Sequence, residues 1–142
     1  MKPILVLVAA LAMLVGFALP AAAQVGDADK SAFQSIVTGQ IEAFRGDDGM
    51  AAYDFASPMI RSLFPTAAIF MEMVQKAYPQ VYRPESFAFG PVFESKGIPV
   101  QRVFITGPDG ANYVAEYTFQ RQPDGSWKIN GVTLKKDDSP TI

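Results

Sequence analysis

The sequence contains no histidine and no cysteine, and these two absences exclude whole classes of functional site. Histidine is the commonest general base and transition-metal ligand, and cysteine supplies the thiolates of structural zinc sites. Serine–histidine triads, cysteine–histidine nucleophiles and the usual tetrahedral zinc centres are therefore excluded. We expect no metal and no cofactor. Without disulfides, the fold must be held by its core alone.

Basic side chains are also too few and too dispersed for a nucleic-acid interface. The chain carries 12 basic and 14 acidic residues, for a formal net charge of −2. Its only adjacent basic pair is Lys135–Lys136. Because phosphate backbones are bound by clustered lysine and arginine, we expect no nucleic-acid partner.

The N-terminal segment is typical of an export signal. Lys2 makes the start positive, residues 4–19 are apolar, and Ala21 and Ala23 fit the small-residue rule for signal peptidase. The apolar run of about sixteen residues is shorter than the roughly twenty that span a bilayer, which disfavours a permanent anchor. The pattern predicts a signal peptide over residues 1–23, cleaved after Ala23, and a periplasmic or secreted protein.

The remaining chain divides into a helical part and a strand part. Helical periodicity extends to about residue 78, and period-two alternation begins at Ser86. We predict one domain over residues 24–136 and a polar tail over residues 137–142. The order indicates the α+β class, with three N-terminal helical segments packed on a curved antiparallel sheet of about four strands.

The first helix is predicted over residues 29–45 and ended by Gly46. A capping box at Ser31 and Gln34 is one start signal, and Asp27 or Asp29 is an earlier alternative. Further start signals are Ser57–Pro58 and Thr66. Pro79 is expected to end the last helix, with residues 81–84 extended beyond it.

Residues 44–58, FRGDDGMAAYDFASP, hold three carboxylates in a short span. A calcium loop of the EF-hand type needs glycine at its sixth position and glutamate at its twelfth. Counted from Asp47, those positions are Ala52 and Pro58, so the pattern fails. We interpret Asp47 or Asp48 as the cap of a short second helix, and Asp54 and its neighbour Tyr53 as pocket candidates.

Residues 67–78 are apolar on nearly every side of a helix, which indicates burial. Two interpretations remain open. The segment is either plain core or the pliable wall of an apolar cavity, for which methionine is suited. On the second interpretation, Phe70, Met73 and Tyr78 are candidates for a ligand pocket.

The strand part predicts a meander with two irregularities. Gly90–Pro91 and Asn130–Gly131 each interrupt the alternation, which indicates β-bulges. Turn sequences lie at residues 107–110 and 123–125, and Trp127 follows the second turn, where an aromatic side chain commonly closes a small core. The predicted strands cover residues 86–94, 98–106, 112–122 and 126–136.

Proton-transfer chemistry would have to use carboxylates and phenols, whose pKa values can be shifted by burial. Glu116 alternates onto the face opposite Tyr113 and Tyr117 and is better placed to pair with Arg102. Arg83 could pair with Asp54 or with an anionic ligand. The pocket candidates are Tyr53, Asp54, Phe70, Met73, Tyr78, Tyr82, Arg102, Tyr113 and Tyr117.

Four segments carry a resemblance to a known family: QIEAF (40–44), ASPMIRSLF (56–64), FMEMVQKAYPQVYRP (70–84) and YTFQRQPDGSWKINGVTL (117–134). In order and content they resemble the bacterial family catalogued as domain of unknown function 4864. The break FRGDD and the strand GSWKINGVTL also resemble the NTF2-like (cystatin-like) superfamily. The resemblance implies a cone with an interior cavity and an exported location, and it implies no catalytic residues.

We therefore expect a non-catalytic binding or scaffold protein, with an apolar cavity or an interacting sheet face. Apolar residues on both faces of the sheet call for a second cover, which is compatible with a homodimer. One alternative is a carrier of lipid or another small hydrophobic ligand, like the NTF2-like phospholipid shuttles of the Mla type. Another is a small enzyme similar to ketosteroid isomerase or scytalone dehydratase, and the sequence leaves that question open.

Overall fold

The computed structural model describes residues 25–139. The predicted signal peptide and the last three residues of the predicted tail lie outside the described part. Within it, no helix has the length and apolar character needed to cross a membrane.

Helices occupy the first half of the described chain and a four-stranded sheet occupies the second. The sheet is antiparallel, curved and not closed, and its strands are adjacent in chain order. This confirms the α+β class, although the three predicted helical segments are divided into five helices. The elements are α1 (Asp27–Arg45), α2 (Gly49–Asp54), α3 (Pro58–Leu63), α4 (Ala67–Ala77), α5 (Pro79–Tyr82), β1 (Ser86–Ser95), β2 (Ile98–Thr106), β3 (Asn112–Arg121) and β4 (Trp127–Lys136).

The start of α1 corrects one prediction. The helix begins at Asp27, and the amide of Gly26 donates to Asp29 Oδ2 at 3.3 Å. The capping box at Ser31 and Gln34 is wrong, because both residues lie on the exposed face inside the helix. Acidic side chains in a first turn complement the helix dipole, which favours the earlier start.

Side-chain caps begin the next three helices as predicted. Asp48 Oδ1 accepts from the amide of Ala51 at 3.1 Å, and Ser57 and Thr66 cap α3 and α4 in the same way. The extended segment predicted after Pro79 is wrong over its first residues. Proline lacks only an N–H that the first turn of a helix leaves unpaired, so it begins α5 here.

The two bulges determine which side chains face the helices. Gly90 and Pro91 together face one residue of β2, and Asn130 is the extra residue of β4. Because Asn130 shifts the alternation by one, Trp127 and Ile129 before it and the apolar residues after it all pack against the core. Both predicted bulges are confirmed.

The core lies between the inner face of the sheet and α1. The ring of Phe33 stacks on Phe119 with centroids 4.2 Å apart and meets the edge of Trp127 at 5.1 Å. Trp127 Nε1 also donates to Asp29 Oδ1 at 3.1 Å. Trp127 therefore closes one end of the core, as its position after a turn predicts.

The bulge in β4 is also where the helices are joined to the sheet. The amide of Ser57 donates to Ile129 O at 2.8 Å, and the amide of Ile129 donates to Phe55 O at 2.8 Å. Ser57 Oγ donates to Asn130 Oδ1 at 2.8 Å while it caps α3. These bonds hold α3 beside β4.

Candidate functional site

A cavity of about 200 Å³ lies between the helices and β4. Its walls are almost entirely apolar, and α1, α3, α4, α5 and β4 all contribute to them. The lining residues are Gln40, Phe44, Ala56, Ile60, Phe64, Phe70, Met73, Val74, Tyr78, Val81, Ile129, Gly131 and Val132.

The depth of burial distinguishes the floor of this cavity from its mouth. Phe44, Phe70, Val74 and Val81 are buried and belong to the main core. The partly exposed lining residues lie on α3, on and after α4, and on β4, so the cavity opens between these elements. They are Ile60, Phe64, Met73, Tyr78, Gly131 and Val132.

Two polar side chains line the cavity. Gln40 is only 4% exposed, and its Nε2 donates to Ala52 O at 3.2 Å. Tyr78 OH donates to Val132 O at 3.3 Å, which joins the segment between α4 and α5 to β4. Among the described lining residues, Tyr78 is the only titratable one, and none is a carboxylate.

Three of the predicted candidates lie together in this lining: Phe70, Met73 and Tyr78. The apolar composition of residues 67–78 therefore serves both interpretations, since one side of α4 is core and another is cavity wall. Sequence reasoning did not select Gln40. The available signal was a polar residue in the apolar stripe of α1, whose other members are Phe33, Val37, Ile41 and Phe44.

Tyr53 and Asp54 lie outside the cavity, in an open groove on another side of α3. Tyr53 OH donates to Phe64 O at 2.6 Å, so it supports the end of α3. Asp54 pairs with Arg61 at 3.1 Å. The proposed pairing of Arg83 with Asp54 is wrong, because Arg83 pairs with Asp47 instead.

Tyr82 belongs to a clasp that joins α5 to the end of α1. Its hydroxyl donates to Asp47 Oδ1, and Arg83 Nη2 donates to the same oxygen at 2.7 Å. Arg83 Nη1 also donates to Phe44 O, the last turn of α1. The hydrogen bond from Tyr82, together with Arg83, lowers the pKa of Asp47 below its ordinary value.

The three carboxylates of residues 44–58 are thus engaged separately. Asp47 accepts from the clasp, Asp48 caps α2 and Asp54 pairs with Arg61. Among the residues that the structure describes, no group of three acidic side chains could hold a metal ion.

Arg102 lies on the outer face of the sheet, away from the helices. It pairs with Glu116 at 3.1 Å, as predicted, and its guanidinium lies 5.0 Å from the ring centre of Phe93. Arg102 Nε is buried without a hydrogen-bond partner in the described chain. Phe104, two residues along the same face, is 43% exposed.

Tyr113 and Tyr117 share the inner face of β3 but do not reach the cavity. Tyr113 OH donates to Asp109 Oδ2 at 2.7 Å near the hairpin turn. Tyr117 is fully buried opposite Gln101, and its hydroxyl has no partner within residues 25–139. Burial raises the pKa of Tyr117 above its ordinary value, so this phenol stays neutral.

In the described part of the chain, the arrangement provides an apolar volume with no carboxylate in its lining. Apolar walls of this kind suit apolar molecules. Glu116 and Asp54, which are the carboxylates considered for proton transfer, are held in ion pairs outside the cavity.

The model of the family described as Domain of unknown function (DUF4864) matches residues 26–142, which is most of the chain. No curated protein and no solved structure matches the chain.

We expect Asp47→Asn to reduce the pH dependence of stability in acid. The folded pKa of Asp47 is lowered, so its contribution is complete above the unfolded pKa of about 3.9 and is lost as pH falls through the folded value. Asparagine also tolerates the positive φ of 52° at this position. Urea unfolding from pH 7 to pH 2 measures the free energy of unfolding.

The matched control is Asp138→Asn, whose side chain makes no hydrogen bond within the described residues. Wild type and this control should lose stability in acid with the same slope, and Asp47→Asn with a shallower one. Identical slopes for all three proteins would show that the clasp does not stabilise the fold.

Proposed function

The chain belongs to the family described as Domain of unknown function (DUF4864), and for this member we propose non-catalytic binding of a small apolar ligand. The ligand occupies the cavity between the helices and β4. The observation that carries the proposal is an interior volume of about 200 Å³ with nearly continuous apolar walls. The order of helices before a curved sheet also supports placement in the NTF2-like superfamily, which we propose with it.

The volume restricts the size of the ligand. A dry apolar cavity of about 150 Å³ accepts benzene, whereas sites for drug-sized ligands have volumes of about 300–1,000 Å³. A cavity of about 200 Å³ therefore suits a single aromatic ring or a short aliphatic molecule. A phospholipid with two acyl chains exceeds it, so carriage of such a lipid has less support.

The structure also supports an enzyme of the isomerase or dehydratase type less than it supports non-catalytic binding. Those reactions need a base within hydrogen-bond reach of the substrate. Within residues 25–139, Tyr78 is the only titratable group of the lining, and its proton is donated to a backbone carbonyl. The candidate carboxylates Asp54 and Glu116 are paired with arginines elsewhere.

Filling the cavity should abolish binding, and Val74→Phe is the variant to make. Val74 is buried in the lining, so an added phenyl group occupies the space that the ligand needs. We expect toluene, titrated against the labelled protein by NMR, to bind the wild type and to bind Val74→Phe roughly tenfold more weakly or worse, a loss of ~1.4 kcal/mol or more.

Ile69→Phe is the matched control, because Ile69 lies on the same helix, is 47% exposed and does not line the cavity. It should bind toluene like the wild type. Thermal unfolding of all three proteins checks that the fold is retained. Equal binding of toluene by Val74→Phe and wild type, or no binding by either, would overturn the proposal.

We propose that the protein acts after export. The support is the sequence of residues 1–23 alone: a positive start, an apolar run, and alanines at positions 21 and 23. Expression of the full chain in a bacterium should yield a periplasmic or secreted protein that begins at Gln24. A cytoplasmic protein that retains residues 1–23 would contradict this assignment.

The outer sheet face supports a second role, self-association into a homodimer. Phe104 is 43% exposed there. A second copy could cover its phenyl ring and remove this apolar surface from water.

Sedimentation velocity at high protein concentration tests this association. The wild type and Ile69→Glu should sediment as dimers, because Ile69 lies on α4, away from the sheet. Phe104→Glu should sediment as a monomer, because it places a charge in the proposed interface. A wild type that remains monomeric would exclude the dimer.

A further inference from the structure

Gln40 is an unusual residue for the wall of an apolar cavity. It lies in the apolar stripe of α1, between Val37 and Phe44, and is 4% exposed. A buried side-chain amide costs free energy unless its polar atoms are hydrogen-bonded. Within the described residues Nε2 has one partner, and Oε1 has none but is not among the fully buried polar atoms, so a molecule can reach it.

The orientation of the Gln40 amide follows from its one partner. Ala52 O is a carbonyl and can only accept, so the NH₂ group of Gln40 must face it, at 3.2 Å. The amide oxygen Oε1 accepts no hydrogen bond within the described part of the chain. Gln40 therefore keeps an unpaired acceptor, Oε1, and the second N–H of Nε2.

Tyr78 has the other polar side chain among the described lining residues, and its OH donates to Val132 O at 3.3 Å. The second N–H of Gln40 Nε2 is therefore the side-chain donor left in this part of the lining, and it belongs to the same amide as Oε1. A hydroxyl group can donate to Oε1 and accept from Nε2, whereas a hydrocarbon leaves both groups unpaired.

We propose that the ligand is a small, otherwise apolar molecule with one hydrogen-bond donor, such as a phenol, and that Gln40 Oε1 accepts this hydrogen bond. The inference rests on the proposed binding function and adds the chemical class of the ligand. It makes Gln40 the residue that distinguishes a hydroxylated ligand from a hydrocarbon of the same shape.

Phenol and toluene are the probes, because they differ mainly in a hydroxyl group and a methyl group of similar size. Each is titrated by NMR against the wild type, Gln40→Leu and the control Gln101→Leu. Gln101 is also a buried glutamine, but it does not line the cavity. The quantity compared is the ratio of the toluene Kd to the phenol Kd.

We expect the ratio in Gln40→Leu to fall about two- to tenfold below that of the wild type. A change of this size corresponds to the net free energy of one hydrogen bond. The ratio in Gln101→Leu should equal the wild-type ratio. If both probes bind and Gln40→Leu leaves the ratio unchanged, this inference is overturned and the proposed function stands. If neither probe binds the wild type, both are overturned.

A second measurement needs no variant, in case the loss of the bond to Ala52 O unfolds Gln40→Leu. The side-chain carbonyl ¹³C resonance of Gln40 is followed in the wild type during each titration. Phenol should shift it more than toluene does, because only phenol donates to Oε1. Equal shifts with the two bound probes would overturn the inference.

Discussion

The attachment of the helical layer to the bulge of β4 is the constraint on which the rest of the structure depends. Asn130 is an extra residue, and it allows Ile129 and Val132 to face the same side of a strand that would otherwise turn one of them outward. At the same point Ser57 bonds to the backbone of β4 and to the Asn130 side chain, while it caps α3. A single local irregularity therefore sets both the apolar surface of the sheet and the position of the helix that faces it.

The cavity is a consequence of this attachment. Because α3 is held at the strand edge by backbone and capping bonds, Ile60 and Phe64 line a space instead of filling the core. Charged groups are directed away from that space into ion pairs, with Asp54 on Arg61 and Glu116 on Arg102. The separation of an apolar interior from a paired, charged exterior supports the proposed binding over acid–base chemistry, and Gln40 is the lining residue that we propose distinguishes among apolar molecules.

Much of the architecture could be predicted from local signals in the chain. The caps Asp48, Ser57 and Thr66 act within one helical turn, so their effect is readable without knowledge of the fold. The bulge at Asn130 could be predicted because the alternation of apolar and polar residues is interrupted there. The start of α1 could not, because Ser31–Gln34 and the acidic residues upstream offer competing signals of similar strength. The helical turn after Pro79 was missed because proline both ends one helix and begins another.

The sequence by itself determined the fold class, the order of elements, the absence of imidazole and thiolate chemistry, and the apolar character of residues 67–78. Only the tertiary structure decided which candidates share a site. Tyr53, Tyr82, Tyr113 and Tyr117 are alike in residue type, yet their hydroxyls lie at a helix end, in a clasp, at a turn and in the core. Whether side chains share a site depends on contacts between residues far apart in the chain, such as the hydrogen bond from Tyr78 OH to Val132 O. Local periodicity carries no information about those contacts.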